Sequence, residues 1–381
     1  MDKKGSEKDG LGSVRTKIDA LDRQIQELIS RRAQLALNVG EAKGKLAAAV
    51  DYYRPEREAQ VLRAVQEHNQ GPLSDEEMLR LFREIMSACL AQQEPLRIAY
   101  LGPEGTFTQQ AVQRHFGHSN NTIALAGIED VFRQVQSAEA DFGVVPIENS
   151  TQGVVSHTLD LFYDTELKIC GEITLRVHQN LLGHASKIEQ IERIYSHQQS
   201  LSQCRQWIRQ HLPAAECVPV SSNAEAARRA SSSPEAAAIA SVSAASIYGL
   251  PVLFASIEDQ QDNSTRFLVL GKELFPPSGA DKTTLLMATG DKDGPGDLYS
   301  LLEPLNRNDI NMTRIESRPS RVSTWGYVFF IDVLGHANEE PLRSVLAELV
   351  DSGRLVRVLG SYPQALVESA DLNRGVNDNE L

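Results

Sequence analysis

From Ser13 onward, apolar residues fall at Val14, Ile18, Leu21, Ile25, Leu28, Ile29, Leu35 and Val39, and no proline interrupts before Pro55. Steps of three and four place them on one face of a helix, which Ser13 caps. A helix of about 30 residues is about 45 Å long at 1.5 Å per residue. A small domain cannot cover a stripe of that length alone. The stripe demands a partner helix, most simply from a second copy, so the chain reads as a homodimer or higher homo-oligomer.

The rest of residues 1–95 follows the same logic. Pro55 suits the first turn of a second helix through Val61, Leu62 and Val65. Gly71-Pro72 ends it, and Ser74 with Glu77 forms a capping box for a third helix through Leu79, Phe82, Ile85 and Leu90. The segment is all-helical. Arg32 and Lys43, eleven residues apart, share one stripe of the first helix, whereas Arg15 lies roughly 100° away. Taken singly, each is an ordinary solvated helix charge.

Residues 96–272 change pattern after Glu94-Pro95. Strand-like runs at Arg97–Leu101, Phe142–Ile147 and Phe267–Leu270 alternate with helical stretches, and 167–182 reads as one long alternating run. Each run delivers polar residues at its end: Gly102 to Thr108, Glu148 to Gly153, Ser196 to Gln199 and Asp262 to Arg266. Strand–helix alternation predicts an α/β unit, and polar strand ends predict a binding cleft. The glycine loop at Gly102 and Gly105 lacks the Lys-Ser/Thr of a P-loop and the dinucleotide fingerprint. No G-x-S-x-G or His-x-x-x-His pattern is present.

Phe275-Pro276-Pro277-Ser278-Gly279 is a linker to a last unit, 273–371. Its order is βαββαβ: strands near 283–289, 310–315, 327–334 and 355–359, helices near 298–305 and 342–350. That order predicts a ferredoxin-like domain. The polar stretch 372–381 reads as a disordered tail.

Hydrophobic content of 41% and charged content of 23% describe a globular chain. No apolar run reaches the roughly 18 residues that a membrane span needs. Met1 to Gly12 has no apolar signal core, and Cys89, Cys170, Cys204 and Cys217 are scattered. These features predict a cytoplasmic protein without a cysteine metal site. Residues 1–95 carry 15 Lys and Arg against 16 Asp and Glu; the remainder carries 23 against 35. That balance argues against nucleic acid as a partner.

The first segment resembles the small dimeric helical chorismate mutase domain. The matching residues are Val14-Arg15-x-x-Ile18-Asp19-x-Leu21-Asp22, Arg31-Arg32, Gly40-x-x-Lys43, Arg54-Pro55-Glu56-Arg57-Glu58 and Gln93. The resemblance implies that Arg15, Arg32 and Arg57 hold substrate carboxylates, Arg15 reaching the partner's site. Lys43 and Gln93 would flank the breaking ether oxygen and Glu58 would bind the substrate hydroxyl. Arg54 and Cys89 stand where some members have an acidic residue and a serine.

The central segment resembles prephenate dehydratase. The resemblance rests on Gly102-Pro103-x-Gly105-Thr106-Phe107, Val145-Pro146-Ile147-Glu148-Asn149-Ser150, Ser196-His197-x-Gln199 and Asn263-x-Thr265-Arg266-Phe267. It implies a two-lobed fold like that of periplasmic binding proteins. Thr265 would be the essential threonine, with Arg266 beside the substrate carboxylates and Phe267 next to it. Thr106, Asn149, Ser150 and Thr151 would line the cleft. In the last unit, Asn311-Met312-Thr313-Arg314-Ile315-Glu316-Ser317-Arg318-Pro319 resembles the ACT regulatory domain of dehydratases. By that resemblance phenylalanine binds at a dimer interface with Gly296, Leu298, Asn311, Met312, Glu316, Ser317 and Arg318, and inhibits.

Together these resemblances imply conversion of chorismate to prephenate and then to phenylpyruvate, without metal or cofactor. The rival from another class is a catalytically silent metabolite sensor. It leaves unexplained why a sensor would carry Arg15, Arg32, Lys43, Glu58 and Gln93 as well as a binding cleft.

Overall fold

The computed structural model describes residues 3–43, 53–260, 262–288, 295–320 and 326–365; the side chains of 3–10 and of Lys43 lie outside that description, as does the expected tail.

Helix α1 (Lys3–Lys43) is longer than its apolar stripe. Val14, Ile18, Leu21, Ile25, Leu28, Leu35 and Val39 are each at least half exposed along it. Helix α2 (Pro55–His68) starts with proline in its first turn. Helix α3 (Asp75–Ala91) is capped by Ser74, whose Oγ accepts from the Glu77 amide at 3.3 Å. At Gly40 a Cβ would come within 2.7 Å of Gln93 Oε1, so a glycine lets α1 pass close to the end of α3.

The next segment builds two lobes. The first contains β1 (Arg97–Leu101), α4 (Phe107–Phe116), β2 (Asn121–Leu125), α5 (Ile128–Gln136), β3 (Phe142–Asn149), β4 (Gly153–Val154), α6 (Ser156–Leu161) and β5 (Lys168–Arg176). The second contains β6 (Asn180–Gly183), β7 (Arg193–His197), α7 (Gln198–Gln203), α8 (Arg205–His211), β8 (Glu216–Val220), α9 (Asn223–Ala230), β9 (Ala236–Ala240), α10 (Val242–Tyr248) and β10 (Val252–Phe254). Strand β11 (Ser264–Gly271) then returns to the first lobe.

The first sheet has the order β2-β1-β3-β11-β5, with β4 on β3; the second is β10-β6-β9-β7-β8. Strand β11 runs antiparallel to both β3 and β5. The chain therefore crosses between lobes twice, after β5 and before β11. The expected single run 167–182 is two strands in two different sheets. Its break is fixed where the Gln179 amide donates to Glu258 Oε2 at 2.8 Å.

The last unit contains β12 (Asp281–Ala288), α11 (Asp297–Arg307), β13 (Met312–Pro319), β14 (Tyr327–Leu334), α12 (Leu342–Asp351) and β15 (Leu355–Pro363). Its antiparallel sheet, β13-β14-β12-β15, has the ferredoxin-like order. One face carries Leu285, Met287 and Ile331 against Leu301, Leu305 and Leu349 of the helices. The other carries Leu286, Phe330, Leu359 and Tyr362 into a core shared with Val145, Ile147, Phe162 and Leu268 of the first lobe.

The helical segment is also docked. Tyr53 is buried in the first lobe, its ring 5.2 Å from Phe142 and 5.4 Å from Phe116, and its hydroxyl 3.1 Å from His115 Nε2. Arg63 donates to the carbonyls of Ser278 and Ala280 at 2.9 and 2.8 Å.

Candidate active sites

The cleft is built where β3 and β11 lie side by side, with Thr265 opposite Asn149. Asn149 Nδ2 donates to Thr265 Oγ1 and to Asn263 Oδ1, each at 2.9 Å. The Thr151 hydroxyl donates to Asn149 Oδ1 at 2.7 Å. From the second lobe Gln203 Nε2 reaches Thr151 Oγ1 at 3.2 Å, and Gln179 Nε2 reaches Gln203 Oε1 at 3.1 Å. Asn263 Nδ2 and Gln179 Oε1 end this network buried and without a hydrogen-bond partner. A buried polar atom left so costs about 1–3 kcal/mol.

Two further expected residues frame the cleft through backbone. Thr106 Oγ1 caps α4 by accepting from the Gln109 amide at 3.4 Å. Ser150 Oγ accepts from the Ser264 amide at 3.0 Å, tying the β3 loop to the start of β11. The lobes also meet where Ser241 Oγ donates to the Gly105 carbonyl at 3.0 Å. Gly105 has φ +86° and stands 3.3 Å, by its absent Cβ, from Ala244, which explains the glycine. Asn263, Gln179 and Gln203 were not singled out as site residues in the sequence. Asn263 stood inside the quoted motif, but nothing in the spacing marked the two glutamines.

Two expectations need correction. Arg266 does not face the cleft: its guanidinium donates to Glu172 Oε2 at 2.9 Å, Asp332 Oδ2 at 2.6 Å and the Tyr362 hydroxyl at 3.1 Å. Neighbouring residues on a strand point to opposite faces, so Thr265 in the cleft puts Arg266 on the back. Phe267 is 1% exposed and packs with Tyr53, Phe116 and Phe142, so it belongs to the core rather than the site.

In the helical segment Arg15 is exposed and Arg32 half-buried on α1, Arg54 and Arg57 are exposed at the start of α2, and Cys89 is buried. Gln93 Nε2 donates to the Ala36 carbonyl at 2.9 Å, while its Oε1 is buried without a partner. Against expectation, Glu58 faces a cavity against the first lobe that none of the other described mutase candidates lines, because its place on α2 turns it toward the first lobe. Burial raises its carboxyl to about 7, with Arg83 pulling the other way. The Lys43 side chain lies outside the described residues.

In the last unit Arg318 is also corrected. It donates to both carboxylate oxygens of Asp160 at 3.0 Å and to Ser156 Oγ at 3.1 Å, so it faces the first lobe. Arg314 does likewise, donating to Glu148 Oε2 at 2.9 Å. Glu316, two residues from each, is half-buried. Leu298, Asn311, Met312 and Ser317 are exposed, and Gly296 precedes α11 with φ +92°.

This is the architecture of a two-lobed α/β enzyme with its site at the hinge strands, joined to a helical unit and a ferredoxin-like unit. Residues 98–274 match the prephenate dehydratase family and residues 14–94 match chorismate mutase type II. A bifunctional chorismate mutase/prephenate dehydratase from Stutzerimonas stutzeri is 51% identical over 95% of this chain and 100% of its own length. The solved prephenate dehydratase of Arthrobacter aurescens, in complex with L-Phe, is 34% identical, covers 74% of this chain and 97% of its own, and superposes with a TM-score of 0.64. GqqA, described as a novel type of quorum quenching acylase, is 30% identical over 71% of this chain and 98% of its own, with a TM-score of 0.65. The chain belongs to the bifunctional chorismate mutase/prephenate dehydratase family.

Proposed function

We propose that the family's two reactions run at separate places in this chain: chorismate rearranges to prephenate on the helical segment, and prephenate loses water and carbon dioxide in the cleft to give phenylpyruvate. The first reaction is unimolecular. It needs a dianion held compactly and donors where the ether oxygen gains charge. Arg15 of a second protomer, Arg32 and Arg57 hold the carboxylates, and Lys43 and Gln93 attend the ether oxygen. Arg54 and Cys89 complete the pocket wall.

In the cleft, carboxylate leaves as CO₂, its bonding electrons aromatise the ring, and hydroxide is expelled as it gains a proton. A threonine hydroxyl is too weak an acid to give up its own proton outright, so Thr265 serves as a hydrogen-bond donor to the departing oxygen. One observation carries this reading. Asn149 Nδ2 already donates to Thr265 Oγ1, so that oxygen acts as acceptor there and its own proton is left to turn to the substrate. Asn263 Nδ2 supplies a second donor.

Phenylalanine inhibits from an interface between two copies formed by the Gly296–Leu298 turn and the outer face of β13, including Asn311, Met312 and Ser317. Arg314 and Glu148 pass the effect to Asn149, the next residue on β3. The enzyme acts in the cytoplasm and needs no cofactor. An absorbance assay with chorismate supplied and phenylpyruvate read out, with and without phenylalanine, tests the whole scheme. Prephenate accumulating without phenylpyruvate would remove the cleft assignment, and no consumption of chorismate would remove the mutase assignment and revive the reading as a sensor.

A further inference from the structure

A cavity of about 410 Å³ lies where all three parts of the chain meet. Its wall includes Glu58 and Leu62 of α2, Arg83 of α3, Arg114 of α4, Ile173 of β5 and Gln364 beyond β15. The volume suits a small organic molecule. It is distinct from the hinge cleft, since neither Thr265 nor Asn149 lines it.

Its electrostatics are unbalanced at one point. Arg83 Nε is buried and has no hydrogen-bond partner. Of the acidic groups on its wall, Glu84 pairs with His118 at 2.6 Å and Glu172 pairs with Arg266 and Lys282 at 2.8 and 2.7 Å, while Glu76 acts on Arg114. Burial raises the carboxyl of Glu58 to about 7, with Arg83 opposing. Burial, and then Arg83, keep the His115 ring neutral by lowering it to about 3. Burial lowers Arg114 too; Glu76 offsets this and Arg83 adds to it. Arg83 and Arg114 both line the cavity, together with apolar walls at Leu62, Leu79 and Ile173.

We propose that this cavity is a binding site for a small amphipathic carboxylate, its anionic end between Arg83 and Arg114 and its apolar body against Leu62, Leu79 and Ile173. A guanidinium donates two parallel hydrogen bonds to a carboxylate, and Arg83 Nε is a donor still without an acceptor. Because the walls come from three units, an occupant joins them and raises the melting temperature of the whole chain.

The probe is 3-phenylpropionate, which has the ring and carboxylate but no amino group, titrated calorimetrically into the full-length protein. Binding is expected in the wild type and in Thr265→Val, and about tenfold or more weaker in Arg83→Gln. Mutase activity retained in Arg83→Gln shows that variant to be folded; Arg114→Gln gives a second, independent reading. Absence of binding, wild-type affinity in both arginine variants, or loss of binding in Thr265→Val would each overturn the assignment. A tenfold rise in KM for chorismate in Arg83→Gln would do the same, since it would make the cavity part of the mutase site.

Discussion

Arg266 Nη1 lies 2.6 Å from Asp332 Oδ2, across the seam between the cleft lobe and the ferredoxin-like unit. The next residue on the strand is Thr265, which meets Asn149 in the cleft. One strand therefore presents a cleft hydroxyl on one side and an inter-domain ion pair on the other. Glu172 and Lys282 complete that cluster at 2.7 Å, and both acidic side chains are nearly fully buried.

Removing one partner leaves a buried charge uncompensated. Arg266→Gln is expected to destabilise the chain by about 3–5 kcal/mol, read as a lower urea midpoint. Adding Asp332→Asn should recover part of that loss. A double variant no more stable than the single one would show that the two groups do not act as a pair.

Thr265→Val keeps shape and removes the donor. It should bind prephenate with KM little changed and lose about a hundredfold or more in kcat. Equal losses in both would reduce Thr265 to a binding contact.

Glu58 gives a pH signature in stability. Its folded value, about 7, lies above the ordinary glutamate value, so the folded state binds the extra proton. The contribution is fully present below the ordinary glutamate range and is lost as pH rises through about 7. The melting temperature of the wild type should fall across that window relative to Glu58→Gln. Parallel curves for the two proteins would mean that the carboxyl is solvated.

Ile25 is 53% exposed at the middle of the α1 stripe. Ile25→Glu puts a charge on the stripe that the proposed dimer would cover. Sedimentation should show dissociation, with mutase activity falling by about tenfold or more as Arg15 leaves the partner's site. An unchanged sedimentation coefficient would move the dimer contact elsewhere.

The long helix, the α/β alternation and the βαββαβ order were all legible in the sequence, because each rests on the spacing of apolar residues within one segment. The seams between segments were not. Arg266 and Arg318 look like ligand-binding arginines in a linear motif, and their actual partners, Asp332 and Asp160, lie 66 and 158 residues away. Strand alternation did hold the information about Arg266, since Thr265 and Arg266 cannot both face the cleft. For Gln179 and Gln203 the sequence held no such signal. They reach Thr151 and each other only because the chain crosses twice between the lobes.

Tyr53 stands two residues before a helix of one catalytic unit, yet its ring is planted among Phe116, Phe142 and Ile98 of the other. The borders drawn by reaction are thus not the borders drawn by packing. A shortened protein beginning at residue 96 would keep every cleft residue and still carry an empty socket the size of a phenol, while a fragment ending there would wave a bare aromatic ring in water. Whatever history joined these two activities, in this chain they can no longer be taken apart cleanly with scissors.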